Sequence, residues 1–354
     1  MKIKLILFLL LFVSGCTFQV NVLEPQSTGI GSTASPTTPS ISTSTPMAPT
    51  ATSTSTSAPT PSDIPSPVPP ITTGPSNASS IVPIVFAPNA TSQGINGNIA
   101  NGSSQSYSLN AFQGQIMSVS ILPEKPELQN AFQLEIRGRD GTVLCPTKDN
   151  PCSFWRGALP STQEYLIKVL ADNGGAFSMR VAINPPGTVS QLFNYTDPQG
   201  RFALTYPDDY APVYYQGAQV TKAPPDFSLQ YIDTQQYLST NLSEVYFLVD
   251  VSKDPQIVST CTQPLSFDQP ETELGDTTIN GITFAKSQGG GVGAGNIYEQ
   301  VYYRAEHNGS CYEITYFVHY GNIGNYTPGA VTEFDRTALY QQLDEILASL
   351  ILKS

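Results

Sequence analysis

The stretch NIYEQVYYRAEHNGSCYEITYFVHY, residues 296–320, places Asn308-Gly309 between two runs of alternating side chains. Asn-Gly is the strongest short signal for a two-residue type I′ hairpin, because both turn positions require positive φ. Such a loop sets the register and puts Arg304 opposite Glu313, a favourable cross-strand pair. Val301, Tyr303, Ala305, Tyr312, Ile314, Tyr316 and Val318 then share the other face. A slip of one residue would turn all of them outward, so burial of that face holds the pairing in place. The hairpin is predicted to form the middle of an antiparallel sheet whose core lies on the Tyr303 side.

Working outward, the region 190–354 opens with FNYTDPQGRFALTYPDDYAP from Phe193. There Asp197-Pro198-Gln199-Gly200 reads as a tight turn between strands, with Phe202, Leu204 and Tyr206 alternating inward. The closing stretch TEFDRTALYQQLDEILASLILKS carries Leu339, Leu343, Ile346, Leu347 and Leu350 at helical spacing, behind Thr332 and Asp335 set as a capping box. Strands first and an amphipathic helix last make an α+β domain. The opening GRFALTYPDDY and the sheet-then-helix order resemble the PsbP-like domains attached to bacterial lipoproteins; no ligand residues come with that likeness. The glycine run GGGVGAG, Gly289 to Gly295, lacks the spacings of phosphate-cradling loops and is expected to be a mobile loop.

Residues 81–187 hold short period-2 runs, YSLNAF, QIMSVSIL, AFQLEIRG, EYLIKVLA and AFSMRVAI, separated by Gly, Asn, Asp and Pro clusters. That is the pattern of an antiparallel β-sandwich. In FQLEIRGRDG, Phe132, Leu134 and Ile136 share a face and Asp140-Gly141 marks a turn. The motifs Y-x-L-x-A-x-x-G-Q from Tyr107 and G-x-LP-x-x-x-x-Y from Gly157 resemble those of the pre-peptidase C-terminal-like (PPC-like) family. That resemblance implies a jelly-roll domain, accessory in role, with no catalytic residues. Trp155, the single tryptophan, is either a core-edge residue or a ligand-facing platform for a sugar, and its place in FWRGALP favours the core.

Residues 1–15 have a lysine-bearing start, an apolar run from Leu5 to Val13 and a small-residue end, which is a signal peptide. The run is too short to span a hydrocarbon core that needs about 20 helical residues. The ending VSGC resembles the lipobox of bacterial lipoproteins. By that resemblance Cys16 becomes the first residue of the mature chain and carries a diacylglycerol thioether and an acylated amine, palmitate being the expected acyl group. Two or more chains, at about 0.8 kcal/mol per buried CH₂, anchor stably. An ordinary secretory signal is the competing reading. After the lipidated N-terminus, 16–25, residues 26–80 are low-complexity Ser/Thr/Pro with little to bury. Such a segment is expected to be a disordered tether, spanning about 40 Å as a coil.

Setting Cys16 aside leaves Cys145, Cys152, Cys261 and Cys311, an even number in a chain read as exported. Four cysteines allow three pairings. Cys145 with Cys152 and Cys261 with Cys311 is favoured because each bridge stays within one region. Metal is not expected: CPTKDNPC has neither CxxC spacing nor a nearby histidine. Lys plus Arg number 16 against 28 Asp plus Glu, a net charge of −12. No basic face is expected to be on offer to nucleic acid.

Catalytic residues are not expected either. His307 and His319, the two histidines, lie outside any HExxH or nucleophile-elbow context. Asp208-Asp209 and the 268–276 stretch lack EF-hand spacing and are expected to be solvated loop carboxylates. A hydrolase would have to draw on Asp208, Asp209, Glu299, Glu313 or the histidines. The chain is therefore expected to be a mainly β, non-enzymatic lipoprotein of the cell membrane or outer membrane, without cofactor. It would present a jelly-roll sandwich and an α+β domain to a cell-wall glycan, or act as an accessory docking an envelope protein.

Overall fold

The computed structural model describes residues 80–145, 152–188, 190–215, 224–264 and 271–353; the signal segment, Cys16, Asp268 and the tether up to residue 79 lie outside them. The protein is mainly β. Its first nine strands are β1 (Ile81–Pro83), β2 (Ser92–Ile99), β3 (Ser103–Ala111), β4 (Ile116–Pro123), β5 (Phe132–Gly138), β6 (Val143–Cys145), β7 (Phe154–Ala158), β8 (Gln163–Ala171) and β9 (Gly175–Asn184). They form a five-stranded sheet, β1-β3-β8-β5-β6, over a four-stranded sheet, β2-β9-β4-β7. The pairs β2 with β9, β3 with β8, β4 with β7 and β5 with β6 are nested, as if one long hairpin had been rolled up. That is the jelly roll, in which two sheets bury one face each. β1 departs from the antiparallel pattern and lies parallel to β3 at the sheet edge.

Alternation along these strands accounts for the core. Tyr165, Ile167, Val169 and Ala171 of β8 point inward beside Leu134 and Ile136 of the neighbouring β5, facing Met117, Val119 and Ile121 of β4 in the other sheet. Burying each of the larger side chains contributes about 1.5–3 kcal/mol. The Tyr165 hydroxyl is matched inside by donating to the carbonyl of Ser161 at 2.6 Å. Trp155 is 7 % exposed and belongs to this core. Its position opposite Val119 faces it inward, so the ligand-facing alternative is corrected.

The remaining strands are β10 (Leu192–Thr196), β11 (Phe202–Pro207), β12 (Tyr210–Pro212), β13 (Phe227–Tyr231), β14 (Leu242–Ser252), β15 (Thr272–Ile279), β16 (Ile282–Gly293), β17 (Asn296–His307), β18 (Ser310–Gly321) and β19 (Ile351–Leu352). Helices α1 (Thr234–Ser239), α2 (Pro255–Ser259) and α3 (Arg336–Ala348) intervene. A seven-stranded antiparallel sheet runs β12-β13-β14-β18-β17-β16-β15, and a small one runs β10-β11-β19. Asn308 and Gly309 both have positive φ, and Arg304 pairs with Glu313 as the hairpin register requires. Tyr303, Ala305, Tyr312, Ile314, Tyr316 and Val318 join Leu339, Leu343, Ile346, Leu347 and Leu350 in a second core. The Tyr316 hydroxyl reaches across to accept α3 as a neighbour, donating to the Leu343 carbonyl at 3.1 Å.

Two local expectations are corrected. Helix α3 is capped by Asp335 itself, whose carboxylate accepts from the Ala338 amide at 2.9 Å, and not by Thr332. Thr332 instead bridges to Thr240, so tertiary pairing takes the residue that a capping box would need. The glycine run is no loop: Gly289 to Gly293 are paired strand, opposite Gln300 to Asn296, and Ala294-Gly295 make the turn. Glycine is required there at Gly290, where a Cβ would lie 2.2 Å from the Tyr298 carbonyl oxygen.

Candidate functional site

The two cores belong to one compact unit and meet across a buried polar cluster. Pro207 ends β11, and the next two residues, Asp208 and Asp209, are drawn inside between buried Tyr206 and Tyr210. They are 1 % and 4 % exposed, which corrects the expectation of solvated loop carboxylates. The counter-charge comes from the sandwich. Arg156 on β7 donates from Nη1 to Oδ2 of Asp233 at 2.9 Å and sets Nη2 3.6 Å from Oδ1 of Asp208. Asn184, at the end of β9, donates to Oδ2 of Asp208 at 2.5 Å. Asp233 does two jobs, since its other oxygen caps α1 by accepting from the Gln235 amide at 3.0 Å. From the far side Gln342 of α3 donates to Asp209 at 3.1 Å.

Further contacts widen the junction. The Arg180 guanidinium of β9 lies 4.2 Å from the centroid of the Phe193 ring and donates to the Tyr206 hydroxyl. Tyr214 donates its hydroxyl to the Pro123 carbonyl at 3.0 Å.

Three carboxylates against one guanidinium leave the cluster electrostatically uneven. Burial pushes the Asp209 carboxyl above its ordinary range; Arg156 opposes that shift, and Asp208 and Asp233 reinforce it. Asp208 Oδ1, Asp209 Oδ1 and Arg156 Nε are buried without a hydrogen-bond partner. A buried ion cluster of this kind adds little net stability but makes removal of one partner expensive. What it does chemically is fix the two cores against each other. The sequence offered no signal for Arg156, because its partners lie 52 and 77 residues away in the chain.

The other candidate groups are tied into structure elsewhere. Glu299 accepts from the hydroxyls of Tyr320 at 2.6 Å and Tyr340 at 2.9 Å and pairs with Arg336. Burial would raise its carboxyl, but these hydrogen bonds outweigh it and hold the group below its ordinary value. Glu313 pairs with Arg304. His319 stacks on Tyr298, centroids 4.4 Å apart, with its ring nitrogens near Asn296 and Glu244. His307 meets Asn308. Among the described residues neither histidine has a serine, threonine or cysteine as hydrogen-bond partner, and no group of three His, Cys, Asp or Glu is placed to hold a metal. Cys145 is bonded to Cys152 and Cys261 to Cys311, the favoured pairing. No helix among the described residues is long and apolar enough to cross a membrane.

These features define a class: a mainly β protein in which a jelly roll and an α+β lobe are joined by a buried ion cluster. No family model matches the chain, and no curated protein is similar to it. Similar solved structures include two periplasmic inhibitors of g-type lysozyme. PliG of Aeromonas hydrophila is 24 % identical over 30 % of this chain and 96 % of its own, TM-score 0.25. PliG of Salmonella Typhimurium is 20 % identical over 30 % of this chain and all of its own, TM-score 0.24. Cyanobacterial PsbP (CyanoP) from Synechocystis sp. PCC 6803 is 12 % identical over 48 % of this chain and 96 % of its own, TM-score 0.27. At such scores nothing is carried over from these proteins to this chain.

Proposed function

We propose that this chain is a non-enzymatic protein of the bacterial cell envelope, anchored by acyl chains on Cys16, that displays its two lobes as one rigid binding unit outside the cytoplasm. The observation that carries the reading is the fate of the acids a hydrolase would need. Asp208 and Asp209 are sealed into the junction, Glu299 is held by Arg336 and two tyrosines, and Glu313 is held by Arg304. Groups spent on holding lobes and strands together are not poised at a cleft. The lipobox resemblance and the Ser/Thr/Pro tether support display at a distance from the membrane.

For the partner, an envelope protein is favoured over a cell-wall glycan. Sugar platforms need aromatic faces open to solvent, and Phe112 and Tyr326, the exposed aromatic residues among those described, sit in different lobes. The role is then that of a structural or assembly accessory. Acyl labelling of the wild-type chain and of Cys16→Ser tests the anchor, and label retained in the variant would sink it. The intact chain in detergent, offered peptidoglycan, cell-wall glycans and purified envelope proteins, tests the partner; saturable glycan binding would reverse the preference.

A further inference from the structure

A cavity of about 260 Å³ opens on the face of the seven-stranded sheet opposite the α3 core. Its floor is Ser287 and Arg304, and one wall is the segment at Thr262, fixed to the sheet because the neighbouring Cys261 is bonded to Cys311 of β18. The other wall is the edge strand β15. Residues three apart in a regular strand point to opposite faces. In β15 the register shifts between Glu273 and Gly275, whose φ is +85°, and this bulge brings Glu273 opposite Ser287 and Asp276 opposite Ala285. Both carboxylates therefore line the cavity, an example of a bulge re-aiming side chains at a sheet edge.

The charge balance inside decides what the cavity can hold. Arg304 is spoken for: Nη1 and Nη2 donate to Glu271 at 2.5 and 2.7 Å, Nε to Glu313 at 2.5 Å, and Nη1 also to Ser287 at 3.2 Å. Lys286 also lines the cavity, but its ammonium lies on the other face of the sheet, 5.0 Å from the centroid of the Tyr303 ring. The floor guanidinium is thus neutralised, and Glu273 and Asp276 set the sign of the space above it. Thr262 and Thr283 also line it. The volume is below that of drug-sized pockets, about 300–1,000 Å³, and suits one small group. We propose that this cavity binds an organic cation, an ammonium or guanidinium, supplied either by a free amine or by a Lys or Arg side chain of a partner. The inference does not depend on the anchor or on the partner reading above.

The test titrates n-butylammonium, its neutral analogue butan-1-ol, and end-blocked Ala-Lys-Ala into the intact chain in detergent at low salt, by calorimetry. Saturable one-to-one binding of a cation and none of butanol is expected. Glu273→Gln with Asp276→Asn, both on an exposed edge strand, should weaken it about tenfold, as loss of two ionic contacts would. Asp276→Asn alone keeps the test open should the pair fail to fold. A tighter peptide identifies a partner side chain as the source, and a tighter butylammonium a free amine. No saturable binding of either cation, equal binding of butanol, an unchanged affinity in the variants, or occupancy by Ca²⁺ that excludes the amine would each overturn the proposal.

Discussion

Arg304 lies inside the seven-stranded sheet with Glu271, Glu313 and Ser287 as partners, whereas Arg156 sits where the two cores meet and leaves its Nε without an acceptor. Both guanidiniums are largely shielded from water. The first is completed within one lobe, by Glu313 across the β17–β18 hairpin and by Glu271 just ahead of β15. The second must be completed by groups from another core, and the fit is less complete: Asp208 Oδ1 stands 3.6 Å from Arg156 Nη2, longer than a hydrogen bond. The difference teaches that ion pairs within a sheet can be perfected locally, while those between packed units inherit the tolerances of docking.

The sharpest way to expose that difference is to remove each arginine. Arg304→Met removes the counter-charge of buried Glu271, which keeps the Ser287 hydroxyl, and one partner of Glu313; breaking a buried pair in this way costs about 3–5 kcal/mol. Thermal unfolding should show a large drop in Tm as one cooperative event. Arg156→Met should cost less, about 2–3 kcal/mol, because Asp233 is partly exposed and Asp208 keeps Asn184. Its signature is different in kind: the two cores, no longer pinned, should melt in two resolved steps. A single transition in Arg156→Met would mean that Arg180, Tyr206 and Tyr214 suffice to couple the lobes. Adding Asp208→Asn to Arg156→Met should recover part of the loss.

The same contrast explains what could be read from the sequence. Arg304 and Glu313 are 9 residues apart across an Asn-Gly turn, so local rules of turn type and register were enough to pair them. The alternating runs of the sandwich were legible for the same reason. Arg156 was not, since nothing local to FWRG announces a carboxylate far along the chain. Asp208-Asp209 looked like a solvated pair because aspartates between strands usually are; two flanking tyrosines packing inward overruled that. Gly289 to Gly293 misled through composition, because glycine marks loops more often than it marks a strand whose neighbour's backbone approaches closely.

Smaller substitutions refine the comparison. Asn184→Ala removes the donor to a wholly buried carboxylate oxygen of Asp208, and an unmatched buried acceptor costs about 1–3 kcal/mol. Ser287→Ala on the other side removes a hydroxyl that donates to Glu271 at 2.6 Å and accepts from Arg304 Nη1, but Glu271 keeps both Nη1 and Nη2 of Arg304, so the cost should be about 0.5–1 kcal/mol. Denaturant midpoints at constant m-value read both. Equal losses would show that the two arginine sites are matched in completeness after all.

The smallest expected effect has a sign that separates the regions by pH. Asp209 has a carboxyl raised by burial, so its ionised form is the one the fold disfavours. Its contribution to stability is fully present below the ordinary aspartate value, about 4, and is lost as pH rises through the raised folded value. Asp209→Asn, which keeps an oxygen for Gln342, should therefore leave stability unchanged near pH 4 and raise it by up to about 1 kcal/mol at neutral pH. Glu299 behaves oppositely. Its lowered value means stability present above the ordinary glutamate range and lost as pH falls through the folded value. Glu299→Gln should weaken the fold at neutral pH, by no more than about 1 kcal/mol given how exposed Arg336 is, and match wild type in acid. Tm measured for both variants from pH 2 to pH 8 should give differences from wild type of opposite sign that converge at the acid end. Parallel curves for Asp209→Asn and Glu299→Gln would show that the junction aspartate is as well paired as the carboxylate between sheet and helix, and that the unevenness of the Arg156 cluster has no energetic weight.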